Sequence, residues 1–527
     1  MKGDFTRDIF DETKHYTRVL MQQGRVQLDT DWNAQVAMDR YHLEVLAADI
    51  IGPHGGPQGN TGFQIIGDQA PSGDFFIGPG RYYVDGILCE LDPETLRISN
   101  VTRPSTLQTP GLTLDGWQLA EDHWIGIADG EGTWHRMQIA SVDPEKNTFT
   151  VKGTLPDNPV QIRRVMTYRG QPEYPAAVMG AEGFYLAYLD VWERHITYLE
   201  DSQIREVALG GPDTSSRAKV VWQVKLMSAD ECEDVGTLDS LSSARMKAQL
   251  KPSDPGSDPC IIAPDSKFRG GENQLYRVEI HRSDRDTNGN PQEWTFKWSR
   301  DNASIAAIWL DNDEEGGLKV SNTRGFAEEQ WVEVTSETDE LRNEPGQFCK
   351  IVKIDGSSLF LDPQPAWDED SVMKVRCWDQ RKVSDIKLLD GAVLGEERVW
   401  LELENGLEVY FETGGRYRSG DYWLIPARVV NGSIEWRVEL NVNGTARSDA
   451  NGNEIPRALK PNGVKHHFAP LAMLTWNGNT LRIKEDCRCS FRLVTNCPPS
   501  RGGQAEAEEE RAVKLPKTTS RRKRRNA

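Results

Sequence analysis

The sequence predicts a mainly β fold: a multi-module chain of small β-barrels and sandwiches, with an N-terminal extended arm and one amphipathic helix. Three observations predict it. From residue 61 onward, short apolar or alternating runs are separated by turn signals. A block of strands and turns, about fifty residues long and the size of a small barrel, recurs once. The first 57 residues differ from all of this, carrying a long helical pattern behind an extended arm.

The helix starts at Asp29, Thr30 or Asp31, any of which can cap it, and stops at Gly52-Pro53. Trp32, Val36, Leu43, Leu46 and Ile50 fall on one stripe. A lone helix cannot bury such a stripe, so it is expected against the chain's own β body or another subunit. Phe5, Phe10, Trp32, Val36, Leu43 and Leu46 are the candidate assembly residues, with the arm pairing its main chain to an exposed sheet edge of a neighbour. Residues 1–57 are expected to be separable from a β body that folds without them.

Next comes a hairpin, Arg81-Tyr82-Tyr83-Val84 and Ile87-Leu88-Cys89-Glu90 flanking Asp85-Gly86. Tyr185 to Trp192 reads as a strand buried on both faces, and Val220 to Leu226 as a half-buried strand with Val220, Trp222, Val224 and Leu226 inward. The repeat aligns Trp124-Ile125-Gly126-Ile127 with Trp331-Val332-Glu333-Val334, and Ile139 to Asp143 with Ile351 to Asp355. It continues with Thr148 to Val151 on Ser358 to Leu361, and Ile162 to Val165 on Lys374 to Cys377. The expected modules are 1–60, arm and helix; 61–115, a hairpin module; 116–170, barrel copy one; and 171–322, a central β domain with a long loop at 229–269. After these come 323–380, barrel copy two; 381–497, a C-terminal β domain; and 498–527, a disordered tail ending in Arg521-Arg522-Lys523-Arg524-Arg525.

Composition narrows the function. The chain has 527 residues, net charge -19 and a sequence pI of about 5.1. An acidic body argues against nucleic acid as the main partner. No apolar run is long enough to span a bilayer, and the N-terminus lacks a signal-peptide core, so cytoplasmic synthesis is expected. Eight cysteines are low usage and fit a reducing compartment. Sixteen tryptophans suit either sugar platforms or, more commonly in β proteins, cross-strand packing.

Several stretches carry a family resemblance. They include Met1-Lys2-Gly3-Asp4-Phe5, Met21 to Asp29, Gly52-Pro53-His54-Gly55-Gly56, Leu189 to Thr197 and Ile204 to Thr214. Further ones are Glu272 to His281, Phe296 to Asn302, Gly420 to Arg428 and His466 to Ala472. The chain resembles a family of unknown-function proteins, DUF6519-like, encoded in gene clusters for phage-tail-like extracellular contractile injection systems. Gly78 to Gly86 also looks like small β modules near the attachment ends of tail-fibre and baseplate proteins. The resemblance implies a structural component at the baseplate or spike end of such a particle, or an appendage of it. Its partners would be other tail, baseplate and spike subunits and copies of itself, about three or six by particle symmetry. The particle would be released extracellularly or anchored at a membrane.

Chemistry is sparse. The sequence has no Walker loop, no Gly-x-Ser-x-Gly elbow and no His-Glu-x-x-His helix, so no catalytic residue is assigned. Asp284, Asp286, Asn288 and Asn290 place oxygen ligands at alternate positions around Gly289, the pattern of a calcium loop; the more ordinary explanation is a plain hairpin tip, where Asn-Gly and Asp are preferred anyway. Asp449 to Asn453 is a shorter version, and Asp311 to Gly317 is most simply an acidic turn. His466, His467, Cys487, Cys489 and Cys497 cluster in sequence as zinc-type ligands, although adjacent strand histidines point to opposite faces. Cys232 and Cys260 could pair in an oxidising medium. Glu193, His195, Glu200 and Asp201 are acid/base candidates or, more ordinarily, salt-bridge partners of Arg194 and Arg205. The competing functions are a receptor- or glycan-binding appendage, with or without polysaccharide hydrolysis, and a cation-stabilised scaffold.

Overall fold

The structure is a computed structural model that describes residues 1–492 except 115, 176, 239–241, 253–266, 286–288, 368–370 and 382–385. The expected tail, 498–527, Cys260 and Cys497 therefore lie outside the described residues. The fold is mainly β.

The longest strand, Gly183–Ile196, sits inside a four-stranded antiparallel sheet. Arg217–Ser228 flanks it on one side and His467–Trp476 on the other, with Leu481–Asp486 outermost. Leu186 to Trp192 are buried without interruption, as an apolar run covered on both faces must be. Pro470 is accommodated where the register slips between Ala187 and Tyr188, since a bulge spares the proline a ladder bond. The neighbouring strand departs from its expected half-burial. Gln223 is fully buried, its amide donating to the carbonyls of Glu173 and Leu341, because a short helix, α2 (Glu337–Arg342), covers that face.

The Asp85-Gly86 hairpin forms as expected. Gly80–Val84 and Ile87–Leu91 pair with Val84 opposite Ile87, and both turn residues take positive φ. A second body stacks a six-stranded sheet containing Gln274–Arg282, Thr295–Ser299 and Tyr422–Arg428 on a three-stranded one, Met246–Leu250, Leu407–Phe411 and Trp400–Glu404. Trp298, Trp423, Tyr276, Phe296, Phe411 and Tyr417 fill the space between. These aromatics are packing groups, not a surface platform.

The repeat is visible in the hydrogen bonds. Six strands between Ala306 and Trp378 close into a barrel. Between Thr95 and Arg164, seven strands run in the same order, with the closing strand broken in two, Thr95–Arg97 and Asn100–Thr102. Trp124 pairs with Gln138 as Trp331 pairs with Lys350. A register slip between Ile139 and Ser141 in one copy recurs between Ile351 and Lys353 in the other. The last aligned strand is one residue out in the sequence alignment. Ile127 faces Ile162 as Val334 faces Val375, so Ile162 corresponds to Val375 and not to Lys374. The slip matters because it would turn the strand inside out. Ile162 and Val375 both point into their barrel cores. The strands of the first copy begin at Thr95, upstream of residue 116 where the sequence divides the modules.

Candidate functional site

The N-terminal arm and α1 (Asp29–Ile51) form the least ordinary part of the molecule. The helix starts one residue earlier than the sequence suggests. Leu28 is the N-cap, and its N–H is taken by the Asp31 carboxylate at 3.3 Å. Asp29 is occupied instead by the arm, accepting from the Thr6 N–H at 2.9 Å and from the Thr6 hydroxyl.

The beginning of the chain is held by polar groups. The Met1 amine meets the Tyr422 hydroxyl at 2.7 Å, and Arg277 and Asn302 donate to the Met1 carbonyl at 3.1 Å each. Lys2 reaches Glu279 at 3.2 Å. Behind it, Lys297 bridges Glu279 and Glu333, and Trp378 donates its indole N–H to Glu333 at 3.0 Å. Burial pushes the Lys2 ammonium down to about 8. Burial alone would raise the Glu333 carboxyl, yet Lys297 and His281 hold it well below the carboxylate range. These charges come from the six-stranded sheet, the closed barrel and the arm, and desolvated charge survives only when paired this completely. Farther along the arm, Arg7 pairs with Glu435 at 2.7 Å and Asp11 with Arg437 at 2.6 Å.

The helix is seated by one narrow face. Thr30, Ala34 and Met38 form its buried face. Gly86 at the hairpin tip lies so close that a Cβ there would sit 2.0 Å from the Glu44 carbonyl oxygen. Arg40 pairs with Glu193 of the central sheet.

The predicted stripe faces the other way. Trp32 is 65% exposed, Leu43 66% and Ile50 66%, with Val36 and Leu46 also exposed. With Asp39 between them, these positions step by alternating fours and threes, the spacing of a coiled-coil seam. In the arm, Tyr16, Leu20, Met21 and Val26 are exposed too. Among the described residues, nothing of the chain's own body covers the stripe. Phe5 and Phe10 part company with the other assembly candidates: Phe5 packs edge-on against His195 and Phe10 against Tyr41, both half-buried within the chain. Nor are residues 1–57 a detachable unit. His54–Pro57 is an inner strand, paired with Gly80–Val84 and with Ser490–Phe491.

The other sequence candidates separate. Of the calcium set, Asp286 and Asn288 lie outside the described residues; Asn290 lies within the loop closed by the Arg285–Pro291 bridge and Asp284 just before it. Asp449 and Asp313 use their carboxylates on their own turns, accepting from Asn451 and Asn453, and from Glu315 and Gly317. Among the described residues the zinc-type cluster does not assemble: His466 pairs with Asp190 and His467 with Asp85, each at 2.7 Å, and Cys487 is in a disulfide with Cys232. That bond also settles the open cysteine question, since Cys232 is joined to Cys487 and not to Cys260. Glu193 goes to Arg40, His195 to the Ser216 hydroxyl at 2.7 Å and Glu200 to Lys374, while Arg194 binds Glu337 and Glu340. Arg205 stacks on Tyr198. Among the described residues no helix is long and apolar enough to cross a membrane.

Sequence reasoning missed the buried ion cluster. Its members sit in strands that read as alternating and half-exposed, and only the alternation of Arg277, Glu279 and His281 with Val278 and Ile280 hinted at a polar face.

The model of a family of unknown function, DUF6519, matches residues 1–117, 166–245, 230–312 and 362–524. The two internal unmatched stretches, 118–165 and 313–361, fall in the two copies of the repeat. No curated protein and no solved structure matches the chain.

Proposed function

We propose that this chain, which belongs to the DUF6519 family, is a structural subunit of a phage-tail-like contractile injection particle, placed at the baseplate or spike end or as an appendage to it. The observation that carries an assembly role is the seam of α1: a row of exposed apolar side chains on a helix whose opposite face is already seated. Water-facing apolar rows of this kind mark protein contacts. The seven-residue spacing suits a helix from another subunit. The particle itself is inferred from the family resemblance of the motifs. In this reading the chain is made in the cytoplasm, assembles there with other tail subunits and with copies of itself, about three or six, and leaves or anchors with the particle.

The rival picture of a glycan grip built from a row of aromatics finds less support. Of the sixteen tryptophans, Trp32 alone is exposed, and it belongs to the seam. Mass spectrometry of purified sheathed particles tests the proposal. The chain should be present at fixed stoichiometry to the spike; its absence from particles, with the protein recovered as a free monomer, would refute it.

A further inference from the structure

A cavity of about 530 Å³ opens between the end of strand Gln274–Arg282 and the closed barrel, on the barrel rather than on α1. Three features of its lining belong together. The first is His281, 5% exposed, whose Nδ1 lies 3.3 Å from Glu333 Oε1 but is buried without a well-aligned hydrogen bond. Nδ1 is turned toward Glu333 and the ion cluster, so Nε2 is the ring nitrogen left for the cavity. Burial holds the ring below its ordinary pKa and therefore neutral, so that with Nδ1 toward Glu333 the Nε2 atom is free to accept a hydroxyl proton.

The second is the Arg282–Asp390 pair, 2.8 Å apart at the rim. It sets several N–H donors beside a carboxylate while cancelling its own charge. The third is an apolar wall made by Trp331 and Phe348, whose rings are 6.5 Å apart and nearly perpendicular. The turn carrying Asp390 approaches this wall closely. A Cβ on Gly391 would come within 2.8 Å of the Trp331 ring, so glycine is required there both for space and for its φ of 86°.

We propose that this cavity binds one neutral sugar residue of a glycan. A pyranose ring offers an apolar C–H face for an aromatic wall and a rim of hydroxyls, each both donor and acceptor. Trp331 takes the face, and the Arg282–Asp390 pair and His281 take the hydroxyls. A charged ligand gains no counter-charge from a self-neutralised pair and a neutral imidazole. The site is a single pocket and needs no exposed aromatic row. It is independent of the assembly reading, since none of its residues lies on the arm or α1.

The test is saturation-transfer NMR of the full chain with the methyl glycosides of glucose, galactose, mannose and N-acetylglucosamine, each at about 10 mM, concentrations suited to a Kd on the order of 1 mM. Transfer to at least one sugar is expected, together with a loss of affinity of about tenfold or more in Asp390→Asn. Asparagine tolerates the positive φ of residue 390, 51°, so this variant should keep its turn. Arg282→Gln provides a second variant read the same way. Absence of transfer to all four sugars in folded protein overturns the proposal, as does binding that both variants leave unchanged.

Discussion

Residues 1–11 and the outer face of α1 are neighbours in sequence and opposites in what they hide. The first segment inserts an amine and a lysine among buried charges on Arg277, Glu279, Lys297 and Glu333. The second leaves Trp32, Leu43 and Ile50 in water. A chain that only needed to fold would bury the apolar row and expose the charges. The difference teaches that the arm's position is fixed by directional polar contacts inside one subunit. That leaves the outer face of the helix as an exposed apolar row, the surface that the proposed assembly would cover.

The comparison breaks most severely at its buried end. Glu333→Ala strands Lys297, His281 and the Trp378 N–H, and removing one partner of a buried pair costs about 3–5 kcal/mol. Denaturant melting should show a loss of that order. Next is Cys232→Ser, which opens a link spanning 255 residues and should cost about 2–4 kcal/mol in oxidising buffer and nothing once reductant has cleaved the wild-type bond. Gly86→Ala should come third, at about 1–3 kcal/mol, because its Cβ collides with the α1 backbone at a positive φ. Hydrogen exchange should rise across Asp29–Ile51 while the central sheet keeps its protection.

A separate effect is expected with pH. Burial would raise the Glu340 carboxyl, but Lys374, Arg376 and Lys2 together lower it to about 2 from 4.5. Its contribution is present above pH 4.5 and is lost as acid titrates it toward 2, so the thermal midpoint should fall over that window. In Glu340→Gln that fall should be shallower. The smallest stability effect belongs to the seam: Leu43→Asp with Leu46→Asp should alter unfolding by about 0.5 kcal/mol or less, since both side chains are exposed. The same pair should abolish incorporation into particles, measured by quantitative mass spectrometry.

Much of the fold is legible in the sequence. The Asp85-Gly86 hairpin and the buried strand around Leu189 follow from local pattern alone. The barrel repeat is legible through its four apolar strands. It fails at the last of these because Lys374 and Val375 are adjacent and both buried, Val375 in the barrel and Lys374 on Glu200 and Glu340 outside it. The opening strands at Thr95 and Ala306 are missed because one copy breaks its closing strand at Ile98-Ser99.

The candidate site was half legible. Spacing identified the stripe on α1, but periodicity cannot say which face a helix turns to its own body. Here the buried face is Thr30, Ala34 and Met38, and the close approach is made by Gly86 to the helix backbone at Glu44. The ion cluster and the Cys232–Cys487 bond join residues too far apart in sequence for any local rule to pair them. The family match follows the same division: it spans the arm, the helix and most strands of both sheets, and lapses inside the barrels.

The most direct test of the central claim is to place a photo-crosslinking residue at Leu43 in cells producing particles, then purify the particles and identify what is captured. The account predicts a cross-link to a helix of another subunit, at a yield matching the chain's stoichiometry. Recovery of intact particles containing the chain, with Leu43 quenched by water or linked only within its own subunit, would contradict it.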